Sequence, residues 1–428
     1  MMQKSVLHIL VLFFLATSCK VQNKTVVGAG STGDRKENQK EEGPYFSSIK
    51  TEYILKDSLE VVVFLEAKVE NLKRNDINDI QDIAKRIKAS WILQTPTGIK
   101  EKLESGKVNM GEGKNSLSDN LLYLQFNIPR LRDHNEAVLA LEFIDLSASR
   151  KFTNETYIDF SGSRPNRRFG MYISGSDKPS FESFVRVGQK TVFKSMDGFS
   201  HNLVIKRYSS TSPAALSPMS TSKRNELVNY VEQETIAIKS GQELIFDKEG
   251  SYILFDNENN LENGYGFLVV NEHYPRLTKA QDLTQPLVYM STNDEINKLQ
   301  ETKDFKKALD LYFLTMTSGN QAVAKRIIKT YFRRVEKSNE LFTTYKEGWK
   351  TDKGMIYLVL GPPSRIQRNG LREVWLYSQS ANFSEIIFTF YRKPNQFSED
   401  HYELVRYPEY GAYWYPFVEA WRTGSVLE

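Results

Sequence analysis

The sequence holds a single cysteine, Cys19, in 428 residues. That excludes a disulfide framework within the chain and any metal site built on paired thiolates. Histidine is scarce as well: His8, His134, His201, His273 and His401, with no pair in HxH, HExxH or HxxxH spacing. Zinc chemistry therefore has no ligand set to start from. No GK[ST] follows a glycine-rich turn, which excludes a nucleotide P-loop on pattern, and no GxSxG elbow occurs. Net charge is +4 with lysine and arginine dispersed among the acids, so nothing argues for nucleic acid as a partner. Beyond the N-terminus no apolar run approaches the roughly 18 residues that a membrane span needs.

What is abundant is aromatic: 25 Phe, 22 Tyr and 5 Trp. Such composition favours sheets and large contact surfaces. The length calls for two or three domains. At the N-terminus Lys4 precedes the apolar run Val6–Leu15, and Ala16-Thr17-Ser18 leads into Cys19. Residues 1–18 read as a signal peptide, too short and wrongly flanked for a spanning helix. Removing them takes one lysine and no acid, so the net charge falls from +4 to +3.

Residues 19–43 are polar, charged and glycine-containing, as expected of a flexible tether. Within them Gly28-Ala29-Gly30-Ser31-Thr32-Gly33 matches GxGxxG. The run DRKENQKEEGP that follows has no apolar face for a helix to bury, so the dinucleotide reading is rejected. From 44 to 163 short apolar or alternating segments (59–69, 121–128, 136–144, 151–160) are separated by polar turns, with a helical or loop segment at 80–87. A similar series runs from 164 to 284, interrupted by a long polar loop at 209–225. Two β-sandwich-like modules are expected. Asp76, Asp79 and Asp82 are expected on one solvated helix face. The stretch 256–261 resembles a calcium loop without its sixth-position glycine or twelfth-position acid, and reads as an acidic turn.

Past 285 the pattern changes. Thr292 and Glu295 form a capping box, and 304–317 and 320–345 read as helices. In the second helix Ala324, Ile327, Ile328, Tyr331, Val335 and Phe342 share a face. After Gly348 strands are expected at 355–360, 373–378, 385–392 and 401–407. The fold class is thus mainly β with an α+β C-terminal domain at 285–428, helices packed on an antiparallel sheet.

The segment GWKTDKGMIYLVLGPP opens that last part. Gly348 is suited to end the long helix in a left-handed C′ conformation, leaving Trp349 to fold into the seam between helices and sheet. Thr351 and Asp352 are residues that bond nearby backbone and fix a turn, and Gly354 would let that turn enter a central strand ended by Gly361, Pro362 and Pro363. Trp375 and Tyr377 follow in the next strand. An enzymatic reading would make Asp352 a general base beside Lys353 or Tyr357; the architectural reading gives every residue a structural task. The tail is the densest aromatic segment, with Tyr407, Tyr410, Tyr413, Trp414, Tyr415, Phe417 and Trp421. Tyr410, Tyr413, Trp414, Tyr415 and Trp421 are candidates for partner binding; the alternative is that the tail covers its own sheet. Glu399, Asp400 and Glu403 are the carboxylates near it.

Two resemblances bear on function. Ala16-Thr17-Ser18-Cys19 resembles a bacterial lipobox with Ala16 where leucine is commoner, which implies lipidation of Cys19 and membrane attachment by lipid alone. The alternative is ordinary cleavage with Cys19 a bystander. TYFRRVEKSNELF, GWKTDKG, IYLVLGPPSRI and EVWLY together resemble the GWxTD domain over about 287–428, with Lys353 where arginine is common. That family occurs in predicted envelope proteins of Bacteroidetes and related bacteria and carries no assigned activity. The LGPP…WLY order is also similar to that in small lipoproteins of the outer-membrane assembly machine, except that their segment before LGxP is helical.

The resemblances imply a non-enzymatic envelope lipoprotein, a structural or adaptor component acting through the C-terminal domain in an outer-membrane assembly or transport complex. Lys20-Val21-Gln22-Asn23 after the cysteine leans to the periplasmic face of the outer membrane. A protein partner is expected, and no cofactor, metal, nucleic acid or small-molecule substrate. The alternative is a glycan-binding or glycan-processing protein using the aromatic tail.

Overall fold

The computed structural model describes residues 43–96, 98–209, 212–222, 231–256, 261–369, 371–378 and 385–426. The expected signal peptide, Cys19, the GxGxxG run and the tether up to residue 42 lie outside them.

Eight strands form the first module: β1 (Tyr45–Leu55), β2 (Glu60–Glu70), β3 (Ile87–Gln94), β4 (Lys102–Val108), β5 (Ser116–Ser118), β6 (Leu121–Pro129), β7 (Glu136–Asp145) and β8 (Arg150–Asp159). They make two antiparallel sheets, ordered β1-β2-β6-β5 and β4-β3-β7-β8. In β3 the period of two is strict, with Ile87, Ala89, Trp91 and Leu93 buried. Those side chains meet Val61, Val63 and Leu65 of β2 in one core between the sheets. Helix α1 (Ile80–Arg86) starts at Asp79, whose carboxylate accepts from the amides of Gln81 and Asp82. The three aspartates therefore share no helix face: Asp79 is the cap and Asp76 sits before it at φ 54°.

Strand β2 is buried on both sides. Its second face, Val62 and Phe64, packs with Ile54 and Tyr123 against Phe181 and Met196 of the next module. That module comprises β9 (Phe169–Ile173), β10 (Phe184–Arg186), β11 (Lys190–Ser195), β12 (Asn202–Tyr208), β13 (Glu232–Lys239), β14 (Glu243–Ile245), β15 (Gly250–Phe255) and β16 (Tyr265–Val270). Its sheets run β10-β16-β15-β12-β13 and β14-β11-β9, antiparallel except for the short β10–β16 pair. Phe169, Phe193, Leu254 and Phe267 lie in the core between them.

The remaining chain holds helices α2 (Ala280–Thr284), α3 (Asn293–Gln300), α4 (Phe305–Met316), α5 (Gln321–Phe342), α6 (Asp352–Leu360) and α7 (Gly411–Thr423). With them is the antiparallel sheet β17 (Arg365–Asn369), β18 (Arg372–Tyr377), β19 (Ile386–Arg392) and β20 (Tyr402–Leu404). The capping box of α3 has both its bonds, and Asp304 and Asn320 cap α4 and α5. Ala324, Ile327, Tyr331 and Val335 are the buried apolar face of α5.

Residues 355–360 are not a strand. They form most of α6, with every side chain from Met355 to Leu360 buried. A run apolar on all sides has no period to distinguish strand from helix, and burial all round suits either. What decides is the pair of ends: Thr351 caps the first turn, and Gly361 at φ 87° follows the last.

The second module and the C-terminal part are joined along β15 and β16. The amides of Gly264 and Gly266 donate to the carbonyls of Gln396 and Phe397 at 2.6 and 2.7 Å. Ile253 and Phe255 share a core with Tyr345 and Phe397, and the Ser251 hydroxyl donates to the Tyr345 carbonyl at 2.8 Å. The loop expected to be merely polar also docks here: the Ala215 amide donates to the Tyr289 hydroxyl, and Tyr407 N–H to the Pro218 carbonyl.

A Cβ at Gly266 would stand 2.6 Å from the Tyr345 Cβ and 2.8 Å from the Phe397 oxygen. Gly266→Ala is therefore expected to lower unfolding free energy by about 1–3 kcal/mol in urea denaturation of the full chain. A loss below about 0.5 kcal/mol, the range of neutral surface changes, would show that this seam yields.

Candidate functional site

The GWxTD segment is built on two glycines that lack the room for a side chain. Helix α5 ends at Phe342, and Gly348 lies five residues beyond its C-cap Thr343, in a 3-10 turn that folds back onto the helix. The expected left-handed cap at Gly348 is not what the residue does. A Cβ there would lie 2.1 Å from the Ser338 carbonyl oxygen, and one on Gly354 would lie 1.8 Å from the Gly348 oxygen. The two positions let α5, the turn and α6 touch backbone to backbone.

Polar groups close the contact. Trp349 N–H donates to Asn339 Oδ1 at 3.2 Å, and its carbonyl accepts from the Tyr289 hydroxyl at 3.1 Å. The indole is buried, edge-on to Tyr289. Thr351 Oγ1 accepts from Gly354 N–H at 3.0 Å and donates to the Gly348 carbonyl at 2.7 Å. At the other end of α6 the Val359 carbonyl accepts from Arg334 (3.2 Å) and from the Trp421 indole (3.0 Å). A cation on the last carbonyls also suits the negative end of the helix. Tyr377 donates its hydroxyl to the Gly361 carbonyl at 2.8 Å, and Trp375 lies buried on the sheet face below.

Asp352 is 1 % exposed. One oxygen accepts from the Leu404 amide (2.8 Å) and Arg406 Nη1 (3.0 Å), the other from Arg406 Nη2 (2.8 Å). Arg406 also donates to the Leu216 and Ser217 carbonyls. A carboxylate so committed ties β20 and the 212–222 segment to the start of α6.

Lys353 turns the other way, into a cleft of about 440 Å³ between the C-terminal part and the first module. Its Nζ lies 3.1 Å from Glu373 Oε2 and 3.3 Å above the Tyr402 ring. Glu373 is buried and also takes Arg368 Nε at 2.9 Å and the Trp375 indole N–H at 2.6 Å. Burial pulls the Lys353 ammonium below its ordinary range, with Glu373 opposing. Burial would raise Glu373, but Arg368 and Lys353, with the Trp375 N–H, hold it down at about 2. Sequence reasoning named Trp375 and missed Glu373. The available signal was Lys353 itself: a charge in the first turn of an otherwise apolar, buried helix needs a buried partner.

A second cluster closes the cleft. Glu399 accepts from Arg167 and from Arg392 Nη2 (3.2 Å), with Arg164 at 3.7 Å. Burial works against its charge, and the three guanidinium groups still keep it below the ordinary carboxylate range. Arg167 lies 3.9 Å over the Tyr53 ring and 3.6 Å from Glu52. Desolvation in this recess, with Asp400 and Glu399 adding and Arg167 opposing, pushes Glu52 up to about 7.

The carboxylates near the tail do not gather beside it. Glu399 is in the cluster just described, Glu403 meets His401 at 3.1 Å, and Asp400 lines the cleft. Nor is the tail an aromatic platform. Its helix α7 buries Trp414 and Trp421, Tyr410 is buried just before it, and the Tyr410 hydroxyl donates to the Ile387 carbonyl at 2.8 Å. Tyr413 is half-buried, and Tyr415 stays open at 64 %. Among the described residues no group of three or more His, Cys, Asp or Glu could hold a metal. Asp256 of the calcium-like turn pairs with Arg168 at 2.6 Å; residues 257–260 lie outside the described set.

The depressed Glu373 gives a signed pH dependence. Its folded value lies below the ordinary 4.5, so the stability it contributes is full above about 4.5 and is lost as pH falls through about 2. Glu373→Gln is expected to cost roughly 3 kcal/mol at neutral pH, a cost that fades towards pH 2. Denaturation midpoints of both proteins across pH 2–7 check this; parallel curves would mean that Glu373 is not the group titrating.

No curated protein matches the chain. The GWxTD domain family matches residues 250–423. The match begins at Gly250, the first residue of β15, and so takes in β15 and β16 ahead of the expected start near 287. Those are the strands whose outer side packs on Tyr345 and Phe397. Over residues 250–423, which include the Gly348–Asp352 motif, this chain matches the GWxTD domain family.

Proposed function

We propose that the chain is a non-enzymatic lipoprotein of the bacterial cell envelope, held by a lipid on Cys19 at the periplasmic face of the outer membrane. Its GWxTD domain serves as a structural or adaptor element that engages a protein partner in an outer-membrane assembly or transport complex. The observation that carries this reading is the commitment of the motif to architecture. Gly348 and Gly354 make room, Trp349 fills the core, Thr351 caps α6, and both Asp352 oxygens are taken by Leu404 and Arg406. A domain whose signature residues hold its own helices and strands together is suited to presenting a fixed surface.

The sequence before the described residues supports the location, through the apolar run and the small residues ahead of Cys19. Among the described residues no helix is long and apolar enough to cross a membrane, so attachment in this reading rests on the lipid. No observation favours the glycan reading, because the tail's large rings, Trp414 and Trp421, are in the core.

The test is fractionation and cross-linking mass spectrometry on native membranes. The full chain is expected in the outer-membrane fraction, and Cys19→Ser in the soluble fraction. Cross-links from residues 287–426 to a stoichiometric envelope protein are expected. A chain that stays with the membrane after Cys19→Ser, or that cross-links to no envelope protein, overturns the proposal.

A further inference from the structure

The cleft beside Lys353 has an unusual wall. Residues 47–52 of β1 and 154–157 of β8 line it as unbroken runs. Side chains alternate between the faces of a strand, so consecutive residues can all line a cavity only if the strand turns its edge to it. Both strands are edges: β1 pairs with β2 alone and β8 with β7 alone. Among the described residues, no backbone group of 47–52 or 154–157 bonds to backbone outside its own sheet. Residues 47–52 are half-buried. Near one end the edges are stitched by side chains, Asn154 Nδ2 to Thr51 Oγ1 at 3.1 Å and the Asp159 amide to the Tyr53 hydroxyl at 2.6 Å. Towards Ser47, where the β1–β2 register shifts between Phe46 and Ser48, the edge of β1 makes no backbone bond to another element among the described residues.

A strand edge offers a row of amide donors and carbonyl acceptors at fixed spacing, and the ligand that matches it is the main chain of another strand. A second observation points the same way. Glu155 Oε1 accepts from Lys100, but Glu155 Oε2 is buried in the cleft wall with no hydrogen-bond partner. A buried carboxylate oxygen without a donor is costly, and an incoming N–H would satisfy it.

The charges around the cleft narrow the partner. Lys50 pairs with Glu182, Lys337 with Glu340, Lys353 and Arg368 with Glu373, and Arg167 and Arg392 with Glu399, while Arg372 and Asp400 add one charge of each sign. Neutralised walls give a charged ligand little to gain.

We infer that this cleft is a strand-addition site, in which an extended, uncharged segment of a partner protein pairs with the open edge of β1. The inference deepens the adaptor reading and rests on it for the partner's being a protein. The GWxTD helix α6 has a part in it: Lys353, Tyr357 and the Pro362-Pro363 turn line the same cleft as the edge.

The test uses the full chain and a phage-displayed library of random dodecapeptides. Enriched peptides are synthesised plain and with N-methyl groups on alternate amides, in each of the two phases. Strand addition uses every second N–H, so one phase is expected to weaken binding by about tenfold or more and the other by less than about twofold. Amide exchange is expected to slow at 47–52 on binding, and affinity to change little between low and high salt. Failure to enrich any peptide, equal loss in both phases, or protection elsewhere than residues 47–52 overturns the inference. None of these results touches the envelope cross-links, so the adaptor reading stands or falls separately.

Discussion

The C-terminal half of this protein depends on a contact with no side chain in it. Gly348 and Gly354 bring the backbone of the GWxTD turn against α5 and against itself, at separations where a single added carbon would meet a carbonyl oxygen at 2.1 or 1.8 Å. From that contact the rest follows in order. Thr351 caps α6; the helix then places Asp352 towards Arg406 and β20, and Lys353 towards Glu373 and the cleft. Neighbouring residues in one first turn thus serve opposite sides of the domain, one an internal clasp and the other a cleft wall.

The buried charges work as fasteners between elements distant in sequence. Asp352–Arg406 joins α6 to the 212–222 segment, Glu373 joins β18 to α6 and β17, and Glu399 joins the last part of the chain to Arg167 in the connection between the first two modules. Glu373 and Glu399 are carboxylates held charged by guanidinium or ammonium groups against the pull of burial. Pairs of this kind tolerate few alternative arrangements, because a displaced partner leaves a bare charge in a dry place.

Much of this was legible from composition and spacing. The expected segments 59–69 and 136–144 became strands, and the Thr292–Glu295 box and the apolar face of 320–345 became helices where expected. Three features were not legible for definite reasons. MIYLVL is apolar on every side, so its period was silent and its strand-prone residues misled; the Thr351 cap signal was there and was read as a turn. The aromatic tail has a helical spacing that buries Trp414 and Trp421 together, hidden by the density of rings around them and by Pro416. The pairings Lys353–Glu373 and Arg167–Glu399 span 20 and 232 residues, and long-range partners leave no local trace.

The hairpin of β15 and β16 has a consequence for how the molecule comes into being. Its inner face completes the second sandwich, while Ile253 and Phe255 on the other face wait for Tyr345 and Phe397, which lie 92 residues beyond Ile253 and 142 beyond Phe255. A chain delivered N-terminus first finishes that sandwich while one of its sides is still bare and greasy. Until α5 and the GWxTD turn arrive, that face of the hairpin lacks the cover that Tyr345 and Phe397 give it. The stretch near residue 285, where the sequence pattern changes, is therefore no free joint, because strands before it are packed on residues that come after it.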